Sequence, residues 1–322
     1  MTVFETPIVV VSKCLGFDAC RYNGQTIEDK FVKKLTPHVK FLNVCPEVEI
    51  GLGTPREPVR LVLEGDEVKL IQPDTGKDLT RKMKRFSKDY VGSLKKVDGF
   101  ILKSRSPSCG LQDAKVYPRR EKAPAIEKGS GMFTTAVLEY FPNAAIEDEG
   151  RLNNFRIREH FLTKLFALAR FRKLKSKPTA GALVRFHSEN KLLLMAYNQK
   201  ELRQLGRIVA NHEKRQMEDV FGDYESHFLL ALHRVPRYTS HINVLMHALG
   251  YFSRQLSSRE KAHFLDLLEQ YRKAKIPLSA VIAVVRSWIM RFDTEYLENQ
   301  VYFEPYPEDL VEITDSGKGR GQ

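Results

Sequence analysis

No stretch of this 322-residue chain approaches the about 18 consecutive apolar residues that a membrane-spanning helix needs, which excludes a helical membrane protein. The most apolar run, Ile276-Pro-Leu-Ser-Ala-Val-Ile-Ala-Val-Val285, stops at Arg286 and reads as a buried helix. The start, MTVFETPIVVVSKCLG, lacks the basic region and small-residue cleavage site of a secretory signal, so a cytoplasmic chain is expected. Cysteine is scarce, with four residues, and in a reducing compartment these are expected to be free, metal-bound or catalytic instead of disulfide-bonded. No Cys-x-x-Cys pair occurs, which removes the zinc-ribbon and ferredoxin signatures. His227, His233, His241 and His247 are spaced by six or eight residues, not the i, i+4 separation that favours helix-borne metal ligands, so no metal site is expected there.

Lysine and arginine total 52 against 40 acidic residues, a net charge of +12, which favours a polyanionic partner. The excess is uneven. Residues 1–150 hold 24 basic and 21 acidic side chains, whereas residues 151–292 hold 26 and 11, a net +15. The densest basic run is Arg170-Phe-Arg-Lys-Leu-Lys-Ser-Lys177, readable either as a polyanion contact or as a solvated helix end with cations near its C-terminus.

All four cysteines precede residue 110 and eight of nine histidines follow residue 159, so a domain boundary is placed near 150. The first part has strand–helix alternation. Pro7–Ser12, Val39–Val44, Gly99–Leu102 and a weaker run at Ala144–Ile146 are expected strands, and 26–36, 77–96 and 131–141 expected helices. This grammar implies a mostly parallel sheet with flanking helices. Residues 60–71 look like a hairpin turning at Gly65-Asp66. Residues 151–313 carry helical periodicity throughout, with a capping-box pattern at Ser257–Glu260, and are read as an all-α domain. The tail, 314–322, is polar and Gly-rich and is expected to be disordered.

Cys14, Cys45 and Cys109 each fall just after an expected parallel strand. In open α/β sheets that edge is where ligands bind, so cysteines 31 and 64 positions apart can meet in space. Thiolates gathered there suit a zinc ion with a further ligand or an iron–sulfur cluster with one iron left open; plain packing of small apolar residues is the competing reading. Cys20, six residues after Cys14, would close such a site with a fourth thiolate and leave no open metal position.

At these loops the chain resembles a known family. Ser12-Lys-Cys-Leu-Gly-Phe-Asp-Ala-Cys-Arg-Tyr-Asn-Gly24, Val44-Cys-Pro-Glu47 with Gly51-Leu-Gly-Thr-Pro-Arg56, and Ser106-Pro-Ser-Cys-Gly110 occur in the order of the TudS thiouracil desulfidases, over about residues 7–148. Arg158-Glu-His-Phe-Leu-Thr-Lys-Leu-Phe166 and the basic run behind it resemble the helical domain fused to TudS in RudS proteins, which act on 4-thiouridine in tRNA. The resemblance implies a 4Fe–4S cluster on Cys14, Cys45 and Cys109, a catalytic carboxylate at Glu47 and a catalytic serine at Ser106. Cys20 matches a position that many relatives fill otherwise and stays outside the implied ligand set. Glu49 is a second nearby carboxylate, and only the motif separates its role from that of Glu47.

These residue types suit replacement of C=S by C=O, which needs a soft Lewis acid for the sulfur and a general base for water. A base in folded tRNA must be splayed out to reach a buried iron, and that requires a grip on the backbone. Arg170, Arg172, Lys173, Lys175 and Lys177 are the first candidates for phosphate contact, and Arg21 and Arg56, in the motif loops, for a phosphate or base beside the cluster, structural ion pairing being the alternative. Tyr22 reads as a core residue or a stacking platform. The expected partner is tRNA containing 4-thiouridine, and a homo-oligomer is compatible with the sequence. Two other functions compete: desulfidation of free thiouracil or thionucleosides, and RNA binding without catalysis around a structural or redox-sensing cluster.

Overall fold

The computed structural model describes residues 4–121 and 123–312; the tail expected to be disordered lies outside them. Nine strands occur among the described residues: β1 Ile8–Ser12, β2 Lys40–Val44, β3 Arg60–Glu64, β4 Glu67–Gln72, β5 Lys77–Asp78, β6 Gly99–Leu102, β7 Ala114–Tyr117, β8 Glu127–Gly129 and β9 Ala145–Asp148. Four form an all-parallel sheet in the order β2-β1-β6-β9. The other five form a mixed sheet in the order β5-β4-β3-β7-β8. Val9, Val10 and Val11 of β1 are fully buried, as expected of a parallel strand covered on both faces, and each contributes about 1.5–3 kcal/mol through burial.

Four short helices accompany these strands: α1 Lys30–Leu35, α2 Pro46–Glu49, α3 Thr80–Ser93 and α4 Met132–Tyr140. Two start later than the periodicity predicts. Asp29 Oδ1 accepts the Val32 amide at 2.9 Å and starts α1, leaving 26–28 outside it. Lys77 and Asp78 pair with β4 as a strand, and Asp78 Oδ1 accepts the Thr80 amide at 2.9 Å, so the basic helix begins at Thr80. The hairpin turns at Gly65-Asp66 as expected, with Gly65 at φ 64°. Leu61, Leu70, Met83, Phe100, Phe133 and Val137 form the core that joins strands to helices.

From Phe155 onward the described residues are helical: α5 Phe155–Lys175, α6 Ala180–Glu189, α7 Lys191–Tyr197, α8 Gln199–Ala210, α9 Met217–Ala231, α10 Tyr238–Tyr251, α11 Ser258–Arg272, α12 Leu278–Phe292 and α13 Glu295–Glu298. The fold class is therefore an α/β region with a parallel sheet followed by an all-α region. The capping box forms, with Ser257 and Glu260 each bonded to the other's backbone amide. Packing divides the chain into a unit containing 4–170 with 309–312 and a unit containing 171–308, so the division falls inside α5, later than the change of composition near 150. In the second unit, Val244, Leu245, Phe252, Phe264, Val285 and Trp288 share one core. His227 is bonded to Glu201 at 2.6 Å and His241 to the Tyr302 hydroxyl at 3.0 Å, which gives these two histidines structural partners. Among the described residues no helix is long and apolar enough to cross a membrane.

Candidate active site

The parallel register pairs Ser12 with Val44 and Val11 with Ile101, so the carboxyl ends of β2, β1 and β6 lie side by side. Each of the three loops leaving that edge carries a cysteine. Cys45 follows β2 directly and is the N-cap of α2, its carbonyl accepting the amides of Val48 and Glu49 at 3.0 Å each. Cys14 follows β1 by one residue, and its carbonyl accepts the Ile27 amide at 2.8 Å. The Lys13 amide donates to the Val44 carbonyl at 2.8 Å and joins the first two loops, and the Lys103 amide donates to Ser12 Oγ at 2.9 Å and joins the third to the first.

The Cys109 loop is held at both ends. At its start Lys103 forms a buried ion pair with Glu149, whose Oε2 also accepts the Ser104 amide at 2.7 Å. At the cysteine, Ser106 Oγ accepts the amides of Ser108 at 3.2 Å and Cys109 at 3.0 Å. The loop's carbonyls in turn cap α4: the amides of Met132 and Phe133 donate to Pro107 and Ser108 at 3.0 and 2.9 Å. Only glycine fits at 131, because a Cβ there would sit 2.4 Å from the carbonyl carbon and oxygen of Ser108.

Cys14, Cys20, Cys45 and Cys109 are all free and buried, at 9%, 4%, 9% and 6% exposure. They influence one another. Hydrogen bonding with Cys14 pushes the Cys20 thiol up to about 11, and hydrogen bonding with Cys20, then burial, push Cys45 up as well. Burial pushes Cys109 up to about 12, opposed by hydroxyls of Ser12 and Ser106. Thiols with raised pKa values stay protonated without a cation, and a bound metal reverses this by deprotonating its ligands outright. Among the described residues no group of three or more His, Cys, Asp or Glu is arranged to hold a metal ion. An iron–sulfur cluster makes a different demand, one thiolate per iron, so its cysteines ring a volume instead of converging on a point. Buried thiols at three adjoining strand ends are a donor set that fits such a cluster.

The charge of the Glu47 carboxylate acts on both Cys45 and Cys109. Arg56 grips its Oε2 with two nitrogens, Nε at 3.0 Å and a terminal nitrogen at 2.7 Å, and the Ser108 hydroxyl donates to Oε1 at 2.9 Å. The other guanidinium nitrogen of Arg56 donates to the carbonyls of Cys20 at 2.9 Å and Gly53 at 3.2 Å. With side chains 6% and 12% exposed, Arg56 and Glu47 form a buried pair. Glu49 is exposed, so geometry now separates the two carboxylates that only the motif separated in the sequence.

Of the other anticipated residues, Arg56 has its guanidinium committed to Glu47 and two carbonyls, the ion-pairing alternative. Arg21 lies on the same loop as Cys20 with its guanidinium 5.8 Å from the ring of Tyr22, which is 44% exposed and so no core residue. In the basic run, Lys175 pairs with Glu225 at 2.6 Å, Lys173 and Lys177 are exposed, and Arg170 and Arg172 are half-buried. Ser108 escaped the sequence reading although it stands beside Cys109. The signal was the second serine of Ser-Pro-Ser-Cys, fully buried yet hydroxylated.

Residues 9–149 match the family model described as 2-thiouracil desulfurase, and residues 191–307 match one described as a protein of unknown function, DUF1722. Among curated proteins, the uncharacterized protein YbgA of Escherichia coli (strain K12) is 32% identical over 168 residues, which cover 52% of this chain and 99% of that protein. The uncharacterized protein YbbK of Bacillus subtilis (strain 168) is 34% identical over 110 residues, covering 32% of this chain and 73% of that protein. A solved structure described as a 4Fe–4S-dependent thiouracil desulfidase, TudS, is 28% identical with a TM-score of 0.37, covering 46% of this chain and 93% of its own. The chain belongs to the 2-thiouracil desulfurase family through residues 9–149, in fusion with the DUF1722 region of YbgA-like proteins.

Proposed function

We propose that this chain is a tRNA 4-thiouridine desulfidase, replacing the thiocarbonyl sulfur by oxygen in a net hydrolysis that uses a 4Fe–4S cluster on Cys14, Cys45 and Cys109. The observation that carries this reading is a largely enclosed carboxylate, Glu47, two residues from the buried Cys45 and clamped by Arg56 and by Ser108 of the Cys109 loop. When bound, the cluster supplies a soft Lewis acid for the thiocarbonyl sulfur. The remaining work falls to side chains. A carboxylate has about four lone-pair sites, and Glu47 gives two to Arg56 and one to Ser108, which leaves one on Oε1 to take a proton from water. Arg56 keeps that lone pair aimed. Ser106 accepts two amides, so its own O–H is left to donate; burial pushes the Cys109 thiol up, and the hydroxyls of Ser12 and Ser106 oppose that rise. In this reading Ser106 serves the reaction by favouring the Cys109 thiolate.

The choice of tRNA rests on the +15 carried by residues 151–292, with exposed Lys173 and Lys177 among its contacts. Binding is expected to weaken steeply with salt, each phosphate contact adding about 0.7–0.9 to the slope of log K against log salt. A second reading, free thiouracil as substrate, is favoured by the description of the matching family. Anaerobic incubation with 4-thiouridine-containing tRNA, followed by nucleoside analysis, separates the two. Expected is loss of 4-thiouridine with equal gain of uridine, absent in Cys45→Ala. Conversion of free 2-thiouracil with tRNA left untouched would overturn the tRNA assignment. A colourless protein holding zinc instead of iron would overturn the cluster.

A further inference from the structure

Residues 1–150 are nearly balanced in charge, with 24 basic and 21 acidic side chains, yet the mixed sheet gathers cations at one place. Lys115 of β7 and Lys128 of β8 stand directly opposite each other in the antiparallel ladder, and both are exposed. Leu61 pairs with Val116 in the parallel ladder of β3 and β7, so one step back Arg60 lies beside Lys115. Side chains alternate between the two faces along a strand. Leu61, Ala114 and Val116 turn into the core, which puts Arg60, Lys115 and Lys128 together on the outer face. The guanidinium of Arg60 lies 5.0 Å from the ring of Tyr117, which holds it over that face. Like charges directly opposite in a ladder repel and weaken it. No acid offsets them: among the described residues none of the three has an ionic partner, and Glu64, on the same face of β3, is taken by Lys69 and Arg120.

The row stands at the end of the sheet that joins the candidate site. Arg60 opens β3 four positions after Arg56, the residue that grips Glu47. Lys115 follows Cys109 by six positions. Lys128 precedes Gly131 by three, and the Gly131 amide donates to the Gly110 carbonyl at 2.7 Å. Ser130 Oγ donates to the Leu111 carbonyl at 2.7 Å, so the end of β8 is tied back to the Cys109 loop. Neighbouring strands lie about 4.8 Å apart, which makes the row about 10 Å long. That is about one screening length at 0.1 M salt, so the three charges act together on one anion.

We propose that Arg60, Lys115 and Lys128 form a phosphate-binding row beside the candidate active site, along which the RNA backbone flanking the reacting nucleotide lies. The proposal rests on the tRNA reading above, and it places part of the grip on the α/β region itself, in addition to the basic run at 170–177. A phosphate between Lys115 and Lys128 turns their repulsion into two charge-assisted hydrogen bonds. A free thiobase carries no phosphate and gains nothing from the row.

The test is binding of 4-thiouridine-containing tRNA by the full chain over a series of salt concentrations. Each phosphate contact adds about 0.7–0.9 to the slope of log K against log salt, so Lys115→Gln with Lys128→Gln should lower that slope by roughly 1.5 and weaken binding at low salt. Lys33→Gln with Lys40→Gln removes the same charge from exposed positions in α1 and at the start of β2, away from the cysteine edge, and should leave the slope as it is. An unchanged slope in the first pair, or an equal fall in both pairs, would overturn the row. Removing two facing like charges relieves repulsion, so the melting point of the first pair should not fall. If that pair does not fold, Lys128→Gln alone, on the edge strand β8, decides by a fall of about 0.7–0.9 in the same slope. Absence of tRNA binding in the wild type is a separate result, which removes the tRNA reading and the row with it.

Discussion

Replacing Arg56 by methionine keeps an unbranched, flexible stem and removes the guanidinium and its charge. The substitution deletes both bonds to Glu47 Oε2, at 3.0 and 2.7 Å, and the bonds to the carbonyls of Cys20 and Gly53. Both members of the pair are almost enclosed, so the rule for surface ion pairs does not apply. Removing one partner of a buried pair strands the other's charge and costs about 3–5 kcal/mol. At about 2–4 °C per kcal/mol for a unit of this size, the melting point should fall by roughly 10 °C. Scanning calorimetry of iron-free protein reads this loss apart from any loss of cluster. The double substitution Glu47→Gln with Arg56→Met removes the stranded charge, so it should cost less than the two single losses added together, with a coupling of about 1–3 kcal/mol. A loss under about 1 kcal/mol in Arg56→Met, or strict additivity in the cycle, would refute the claim that this pair is a buried clamp.

Three further outcomes follow from the same geometry. Glu47→Gln keeps the Ser108 contact but cannot take a proton, so desulfidation should fall by about 10²–10⁴-fold at unchanged iron content, measured by nucleoside analysis; full activity would remove Glu47 from the mechanism. Gly131→Ala drives a methyl to within 2.4 Å of the Ser108 carbonyl and should cost about 1–3 kcal/mol while lowering iron content, because the atoms in the way are the backbone of the Cys109 loop. Burial pushes the Asp148 carboxyl from an ordinary 3.8 up to about 6. Its contribution to stability is therefore complete below about pH 4 and lost as pH rises through 6, so Asp148→Asn should gain up to roughly 3 kcal/mol over the parent at pH 8 relative to pH 4. Melting curves at the two pH values check this, and an equal shift at both would refute it.

β1 was legible because Ile8-Val-Val-Val11 is a short β-branched run with nothing polar inside, and such a run reports burial directly, whereas β2 and β9 carry Asn43, Glu147 and Asp148 and gave weaker signals. β7 and β8 were not legible, since Ala114-Lys-Val-Tyr117 and Glu127-Lys-Gly129 are short and half-polar, and make sense only once β7 lies beside β3 and β8 beside β7. The cysteines could be assigned to one edge because the side of a parallel sheet from which loops emerge follows from strand direction alone. What joins them could not. The fork of Arg56 on Glu47 depends on how a chain of nine positions turns back, and the Ser108 contact spans sixty-one positions. The same limit applied to Tyr22, whose composition allows a core or a surface position and whose loop supplies the surface one.

Contact at a distance along the chain also has a consequence for the order of events in the cell. Motifs with cysteines two residues apart can capture a metal on a nascent, unfolded segment. Here the thiols of Cys14, Cys45 and Cys109 come together only once β1 has paired with both β2 and β6. The last of these strands ends at residue 102 and its cysteine follows at 109, so no shorter nascent segment contains the site. For the cluster proposed above, iron would reach these thiols after the strands have paired, so its delivery would be entry into a folded sheet instead of a step that guides folding.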